Sequence, residues 1–311
     1  MKTQTIFITS LLLVFGLIAQ AQILDAQKGK LFDNEPAFNQ EFLKNNNIKV
    51  IQGGISEKKS LEVIVDQGLV HQYEYDREAQ LTRKVETFRK RGGVIDSTSI
   101  LYHYDDIDQL ISKSRDYQPG FSAYNYEYDV SGNLISHTYS RGERISYAEF
   151  VGRDEPAFEL FSEKYTYQTL ANGGIKKTFI NNRGKAYKES VTDFDTLGNV
   201  AKETIKYVLS GKRNEVTYTY DDLGRLHMLR DYSNLSGPLE MFYIYKYDKF
   251  GNVMEELIHK NGKLMTVKQF IYEEQTFLLK VQLIKDEPTE DITIIRYRYD
   301  FFDSSLGDQR H

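Results

Sequence analysis

One nine-residue phrase recurs along most of this chain and dictates its local structure. In the copy at residues 245–253, Tyr245 and Tyr247 lie two positions apart, so on an extended backbone their side chains face the same side. Asp248 can hold a backbone N–H two residues further on, and Gly251 supplies the left-handed conformation of a tight turn. The phrase therefore predicts a strand, a turn and the start of a returning strand.

Three complete and six degenerate copies of this phrase are spaced along the chain. The second aromatic of each copy falls at position 75, 104, 128, 167, 194, 220, 247, 272 or 299, which gives a period of about 26 residues with one step of 39. A period of this size is typical of repeat architectures. A second turn signal falls midway in most repeats, and Asn261-Gly262 is the strongest of them. Two turns per repeat predict two strands per repeat, and so about eighteen strands.

The two faces of this predicted sheet differ in polarity. The paired aromatics share one face with the apolar residue two past each turn glycine, whereas the residue between the aromatics is nearly always polar. Open sheets beyond about ten strands curl or split. We therefore expect an all-β fold, a repetitive antiparallel β-meander of about eighteen strands in a curled or spiral sheet whose aromatic face is buried by the curling.

The complete copies at Tyr126-Glu127-Tyr128-Asp129, Tyr218-Thr219-Tyr220-Asp221 and Tyr245-Lys246-Tyr247-Asp248 resemble the YD repeat of the RHS family of bacterial surface and secreted proteins. The resemblance covers roughly residues 60 to 302. It implies a long antiparallel sheet that winds into a spiral or shell, often around a C-terminal toxin. The Asp-Pro motif that ends the family's shell is missing, because no Pro in this chain follows an Asp. The resemblance therefore implies the sheet and not toxin delivery.

Composition narrows the classes of function. The chain has 311 residues, no Cys, no Trp, and a formal net charge of −5 from 40 basic and 45 acidic residues. Without Cys it can form neither a disulfide nor a thiolate metal site. The basic residues are spread throughout, so we expect no nucleic-acid partner. Fifteen of the 23 Tyr belong to the repeat phrase, so architecture accounts for most of the aromatic excess.

The first 21 residues read as a cleaved secretory signal. Lys2 precedes a mostly apolar run, and Ala19-Gln20-Ala21 is a small-x-small cleavage site. We therefore expect export with cleavage after Ala21, a periplasmic or extracellular location, and no membrane span in the mature chain. A lipoprotein would need a Cys after the signal, so lipidation is not expected.

Between the signal and the repeats, residues 22–59 are predicted to form an N-terminal helix and a capping strand. The helix is expected over 34–44, with Asn34 as its cap and Phe38 and Phe42 on one face. We interpret these two Phe side chains as cover for the first edge of the sheet, with a docking handle as the alternative. Strands are expected at 48–52 and 61–66, the repeat sheet at 60–302 and a tail at 303–311.

No constellation of catalytic, cofactor-binding or metal-ligating residues stands out. The six His are scattered, and the chain has no G-x-S-x-G elbow, P-loop or G-x-G-x-x-G motif. We therefore expect a non-enzymatic scaffold that binds a protein partner of the cell envelope or extracellular space. The alternatives are a carbohydrate-binding surface protein, in which Tyr rings stack on sugars, and a relative of an RHS toxin shell.

The single 39-residue step in the period is the candidate binding segment. About thirteen extra residues enter between Arg141 and Glu163, where apolar side chains punctuate a polar stretch. A long insertion on a rigid scaffold commonly carries binding residues. The equally weighted alternative is a flap whose Phe residues cover part of the aromatic face. The predicted partner-binding residues are Arg144, Tyr147, Phe150, Phe158 and Phe161.

Overall fold

The computed structural model describes residues 22–33, 35–117, 120–143, 146–150 and 157–303, without the side chains of Lys28 and Phe150. These ranges hold eighteen antiparallel strands, a 3-10 turn at Ala26–Lys28 and two short helices, α1 (Gln40–Asn45) and α2 (Tyr147–Phe150). The strands are β1 (Ile48–Lys58), β2 (Val65–Tyr75), β3 (Leu81–Arg89), β4 (Ile95–Tyr104), β5 (Leu110–Tyr117), β6 (Gly120–Tyr128), β7 (Leu134–Glu143), β8 (Phe158–Thr169), β9 (Ile175–Asn181), β10 (Ala186–Phe194), β11 (Val200–Tyr207), β12 (Arg213–Tyr220), β13 (Leu226–Ser233), β14 (Leu239–Tyr247), β15 (Val253–Lys260), β16 (Lys263–Tyr272), β17 (Leu279–Asp286) and β18 (Ile292–Phe301).

The strands pair in chain order, and the first strand meets the last. β1 pairs with β2 on one side and with β18 on the other, with Ile51 opposite both Tyr73 and Tyr299. The antiparallel meander and its two strands per repeat are as predicted. The expected curled or spiral sheet is instead a closed barrel, because β18 returns to β1 and supplies the partner that an open edge would lack.

Six of the described repeat turns are built around an Asp. In the copy at residues 245–253, Asp248 Oδ1 accepts hydrogen bonds from the backbone N–H of Phe250 (2.8 Å) and of Asn252 (2.9 Å). Gly251 follows with φ +91° and donates its N–H to the Asp248 carbonyl at 3.1 Å. The same carboxylate bonds recur at Asp76, Asp105, Asp129, Asp195 and Asp221.

A ladder of hydroxyl bonds joins successive repeats on the inner side of the barrel. In each case the hydroxyl of the second phrase Tyr donates to a carbonyl at the start of the preceding repeat's return strand. The pairs are Tyr104 to Leu81 (3.0 Å), Tyr128 to Leu110 (2.9 Å), Tyr167 to Leu134 (2.9 Å), Tyr220 to Val200 (2.8 Å), Tyr247 to Leu226 (2.6 Å), Tyr272 to Val253 (2.6 Å) and Tyr299 to Leu279 (2.7 Å). The second Tyr thus serves as a spacer between repeats as well as an apolar ring.

Residues 22–33 and 35–47, which we call the N-terminal plug, fill one half of the barrel. Phe38 packs edge-on against Tyr73 at 5.6 Å and Tyr297 at 6.2 Å between ring centroids, and Phe32 stacks on Phe270 at 6.4 Å. Lys268 Nζ donates to the Leu31 carbonyl at 2.9 Å. The plug and the inner faces of β12–β18 and β1–β3 form one hydrophobic core.

The predicted N-terminal elements need correction. Phe38 and Phe42 are buried inside the barrel rather than laid over a sheet edge, because the closed sheet leaves no edge among its described strands. The helix begins at Gln40, with Asn39 as its cap, and the predicted cap Asn34 lies outside the described residues. β1 continues to Lys58, beyond the strand end expected at residue 52, and a Cβ at Gly53 would lie 2.7 Å from the Ile295 side chain.

Candidate functional site

The inner wall of β5–β10 is the part of the barrel interior that the plug leaves open. Directly opposed residues of an antiparallel pair share a face, so Tyr124, Tyr139 and Phe161, which are opposed in turn, all face inwards. No residue between Leu81 and Val216 belongs to the plug core among the described residues. Tyr124 is 40% exposed and Phe161 39%. We call the inner faces of β5–β10 the open wall.

The rings of the open wall form a continuous aromatic surface. His137 stacks on Tyr126 with ring centroids 5.3 Å apart and planes 9° apart, and on Tyr124 at 5.3 Å and 26°. Tyr124 contacts Tyr139 at 4.7 Å, and Phe161 meets the His137 ring at 5.7 Å. Burial lowers the pKa of His137, an effect that Glu163 opposes, so the neutral ring is favoured near neutral pH. Five adjoining rings therefore form one aromatic surface, of which Tyr124 and Phe161 are the most exposed members.

A hollow of about 520 Å³ lies where this surface meets α1, within the range of roughly 300–1,000 Å³ usual for ligand pockets. We call it the α1 pocket. Its walls include the rings of Phe38, Tyr75, Tyr102 and Tyr126. The Tyr75 hydroxyl is buried and has no hydrogen-bond partner within the described part of the chain. This hydroxyl is enclosed by protein, so the Tyr75 ring and not its oxygen borders the pocket.

Two strained backbone positions contribute side chains to the α1 pocket. The complete repeats place Gly at the last turn position, but the first two copies place Ala79 (φ +60°) and Asp108 (φ +68°) there. A left-handed conformation costs a residue with a Cβ about 1–2 kcal/mol. Both side chains line the pocket, and Asp108 Oδ1 accepts from Gln80 Nε2 at 2.8 Å. Strained backbone of this kind clusters at binding sites.

Polar groups stand around the rim of the same pocket. Glu35 of the plug accepts a hydrogen bond from the Tyr102 hydroxyl at 2.8 Å and forms an ion pair with Lys113 of β5. Burial, followed by this bond to Glu35, raises the pKa of Tyr102. Burial raises the pKa of Tyr126 to about 12, so this phenol stays protonated at neutral pH. The pocket thus combines flat apolar rings with hydroxyl, amide and charged groups.

At the far end of the open wall, Glu163 is enclosed by phenols and lysines. Its carboxylate accepts from the Tyr165 hydroxyl at 2.6 Å and from the Tyr187 hydroxyl, and it lies 3.8 Å from Lys188 Nζ. Lys177 Nζ sits 3.8 Å above the centre of the Tyr165 ring. Burial lowers the pKa of Lys177, an effect that Glu163 opposes and Lys188 reinforces.

The structure places the side chains of three of the five residues predicted to bind a partner, and it places them on opposite faces of the sheet. Tyr147 packs on the outer face of the barrel against Phe121 at 5.4 Å, and its hydroxyl lies 2.6 Å from Ser112 Oγ. Phe158 and Phe161 lie on the inner side of β8, with Phe158 62% exposed. Arg144 lies outside the described residues, and only the backbone of Phe150 is described. Their role as a partner site stays a prediction.

Among the described residues, no group of three or more His, Asp or Glu is placed to hold a metal ion. Over the same residues, no helix is long and apolar enough to cross a membrane.

The open wall itself was not predicted from the sequence. The repeat pattern marked its Tyr as core residues, and Lys177 and Lys188 lie outside the repeat phrase. The available signal was the pair Ala79 and Asp108, which depart from glycine at turn positions that require positive φ.

No protein-family model matches the chain, and neither does the sequence of any curated protein. A porin-like protein from Bacteroides uniformis aligns over 82% of this chain and 97% of its own, at 11% identity and a TM-score of 0.39. A porin-like protein from Bacteroides vulgatus aligns over 79% and 97%, at 10% identity and a TM-score of 0.32. The TcdB2-TccC3-Cdc42 structure aligns over 76% of this chain and 16% of that chain, at 13% identity and a TM-score of 0.22. TM-scores this low carry no argument, so the fold rests on the strand pairing above.

Proposed function

We propose that this protein is a non-enzymatic, exported binding protein whose ligand is a glycan held inside the barrel. The observation that carries the proposal is the aromatic surface of the open wall, which runs into the α1 pocket. Sugar rings present flat C–H faces and many hydroxyls, and so match Tyr faces bordered by polar groups.

The test removes rings from the open wall and leaves the rest of the barrel intact. The mature protein, which we expect to begin at Gln22, is applied to an array of immobilised oligosaccharides. Tyr124→Ala combined with Tyr139→Ala should weaken binding at least tenfold, because it removes two of the five rings on which the sugars are proposed to stack. Tyr232→Ala, on the outer face of β13, is the matched control and should bind as the parent does. Equal binding by all three proteins would exclude the open wall as the site.

Export is part of the same proposal and has its own test. Intact-mass measurement of protein recovered from outside the inner membrane should give a chain that begins at Gln22. A mass that includes residues 1–21 would contradict cleavage after Ala21.

Kinship with the YD-repeat proteins is also proposed, on the strength of the phrase and not of the comparisons. The recurring Asp-centred turn and the hydroxyl ladder support a single repeated unit along the chain. The missing Asp-Pro motif leaves toxin delivery outside the proposal.

A protein partner is the second candidate, and exposed apolar side chains within the insertion favour it. Phe158 is 62% exposed and Leu160 59%, beside the segment 151–156. Replacing both by Ser should abolish capture of a partner protein from the cell envelope under this alternative. If the double variant still captures the partner protein, this end of β8 is excluded as the partner-binding site.

A further inference from the structure

The inner residues of the open wall carry a charge opposite in sign to that of the whole chain. Five cationic and two acidic residues face inwards on β5–β10, while the chain as a whole has a formal net charge of −5. The inward cations are Lys113, Arg115, Arg141, Lys177 and Lys188, and the inward carboxylates are Glu143 and Glu163. Glu35 of the plug forms an ion pair with Lys113. The excess positive charge therefore lies farther along the open wall, on the remaining inward cations.

The ammonium group of Lys177 is held in place by rings and not by a carboxylate. Its Nζ lies 3.8 Å from the centre of the Tyr165 ring, 5.1 Å from that of Phe179 and 5.5 Å from that of Tyr167. Within the part of the chain that is described, no carboxylate lies at ion-pair distance from it. The nearby Glu163 already accepts two phenol hydroxyls and shares Lys188. A half-buried cation without an anionic partner carries a desolvation cost that an incoming anion would offset.

The cations and the α1 pocket lie at opposite ends of one aromatic surface. Tyr126 on β6 borders the pocket, and Lys177 lies on β9. Three strand spacings separate these strands, or roughly 14 Å measured across the sheet. A single sugar does not reach from one to the other, whereas an oligosaccharide does.

From this arrangement we infer that the ligand is an acidic oligosaccharide, whose sugar rings lie on Tyr126, His137 and Tyr124 and whose carboxylate or sulfate group is bound by Lys177 and Lys188. This inference rests on the proposed function. The acidic group would take the open side of Lys177 Nζ, opposite the Tyr165 ring, and Lys188 would be shared between Glu163 and the ligand. Glu163 positions Tyr165 and Tyr187 and excludes a second anion from their side.

The test compares two adjacent lysines that point to opposite faces of β9. Lys177 faces the lumen, whereas Lys176 faces outwards and pairs with Glu189 at 2.7 Å. Lys177→Gln should weaken binding of uronate-, sialate- or sulfate-bearing oligosaccharides on the array about tenfold, because charge-assisted contacts are among the stronger hydrogen bonds. Lys176→Gln removes the same charge and should change binding less than twofold. Binding of the parent should also fall as salt rises.

A melting curve for each variant checks that the fold is kept. If Lys177→Gln does not fold, Lys188→Gln gives the same comparison. Selective binding of neutral oligosaccharides, or equal effects of Lys176→Gln and Lys177→Gln, would overturn the acidic ligand and leave the glycan proposal standing. Binding of no oligosaccharide on the array would overturn both.

Discussion

The two halves of the barrel use one repeat phrase and bury it to different depths. Tyr75 and Tyr167 are both the second aromatic of their copies, yet Tyr75 is 7% exposed and Tyr167 37%. The plug packs against the half that contains Tyr75, and its core contains no residue of the half that contains Tyr167. The phrase therefore determines strand, turn and face, while the separate N-terminal segment adds cover to the aromatic residues of one half.

The largest difference should appear when one aromatic ring is removed from each half. Phe38→Ala deletes a buried plug ring that contacts Tyr73 and Tyr297, and should lower the free energy of unfolding by about 3–5 kcal/mol. Phe161→Ala removes a ring that is 39% exposed on the open wall and should cost about 1 kcal/mol. Urea unfolding of the two variants measures both changes. Equal losses would mean that the open wall is core as well.

Replacing a turn glycine should lower stability by a similar amount in both halves, because the turn is the same. Gly251 has φ +91° in the plug half and Gly198 has φ +88° near the open wall. A Val at either position must adopt a disfavoured conformation, at a cost of about 1–3 kcal/mol. The Gly251 variant must also displace the end of the Gln22 side chain, which would lie 2.5 Å from the new Cβ. Thermal melts should give a slightly lower melting temperature for Gly251→Val than for Gly198→Val.

The outer-face Lys246→Thr is the control for these turn variants, because it removes a surface ion pair to Glu255 at 2.5 Å. Surface pairs contribute about 0–1 kcal/mol. A loss as large as that of Gly251→Val would contradict the assignment of faces.

Acidification should act on a histidine in each half. Burial lowers the pKa of both His71, which lines a cavity of about 140 Å³ beside the plug, and His137. Near His71, Glu86 opposes this shift and Lys84 adds to it. The unfolded chain therefore takes up these protons first, near pH 6.5, so stability should fall as the pH drops below 6.5. His71→Gln and His137→Gln should each flatten that fall, as followed by melting temperature from pH 7 to 5. NMR titration midpoints above 6.5 would contradict the sign.

A small effect is expected at the Tyr147 contact on the outer face. Tyr147→Phe removes a hydroxyl that lies 2.6 Å from Ser112 Oγ and donates to Asn125 at 3.3 Å. The loss should be about 1 kcal/mol by urea unfolding, with oligosaccharide binding unchanged, because this contact lies outside the barrel. Loss of binding at unchanged stability would instead favour the insertion as the site.

The repeat pattern predicted the number of strands, the Asp turns and the face of the sheet on which each aromatic residue lies, because these features depend on residues only a few positions apart. Closure could not be read from it, since β1 and β18 are separated by most of the chain and alternation is the same in open and closed sheets. The position of the plug could not be predicted for the same reason, because Phe38 contacts strands at both ends of the repeat array.

The anchoring of the insertion on the outer face did have a signal in the sequence. Ser114, Ala123 and Gly142 are small at outward positions, and they leave room for Phe121 and Tyr147. A Cβ at Gly142 would lie 2.0 Å from the Phe121 ring. Small residues at outward positions indicate that something packs over them.

The most direct test of the unequal halves uses the absence of Cys from the chain, which allows single cysteines to be labelled without background. Ser190→Cys lies on the open wall, Leu229→Cys lies under the plug where Leu229 is 2% exposed, and Thr178→Cys lies on the outer face. Labelling by a small maleimide under native conditions should be fast at 190 and 178 and slow at 229. Equally slow labelling at 190 and 229 would show that the open wall is closed to solvent and would contradict the account.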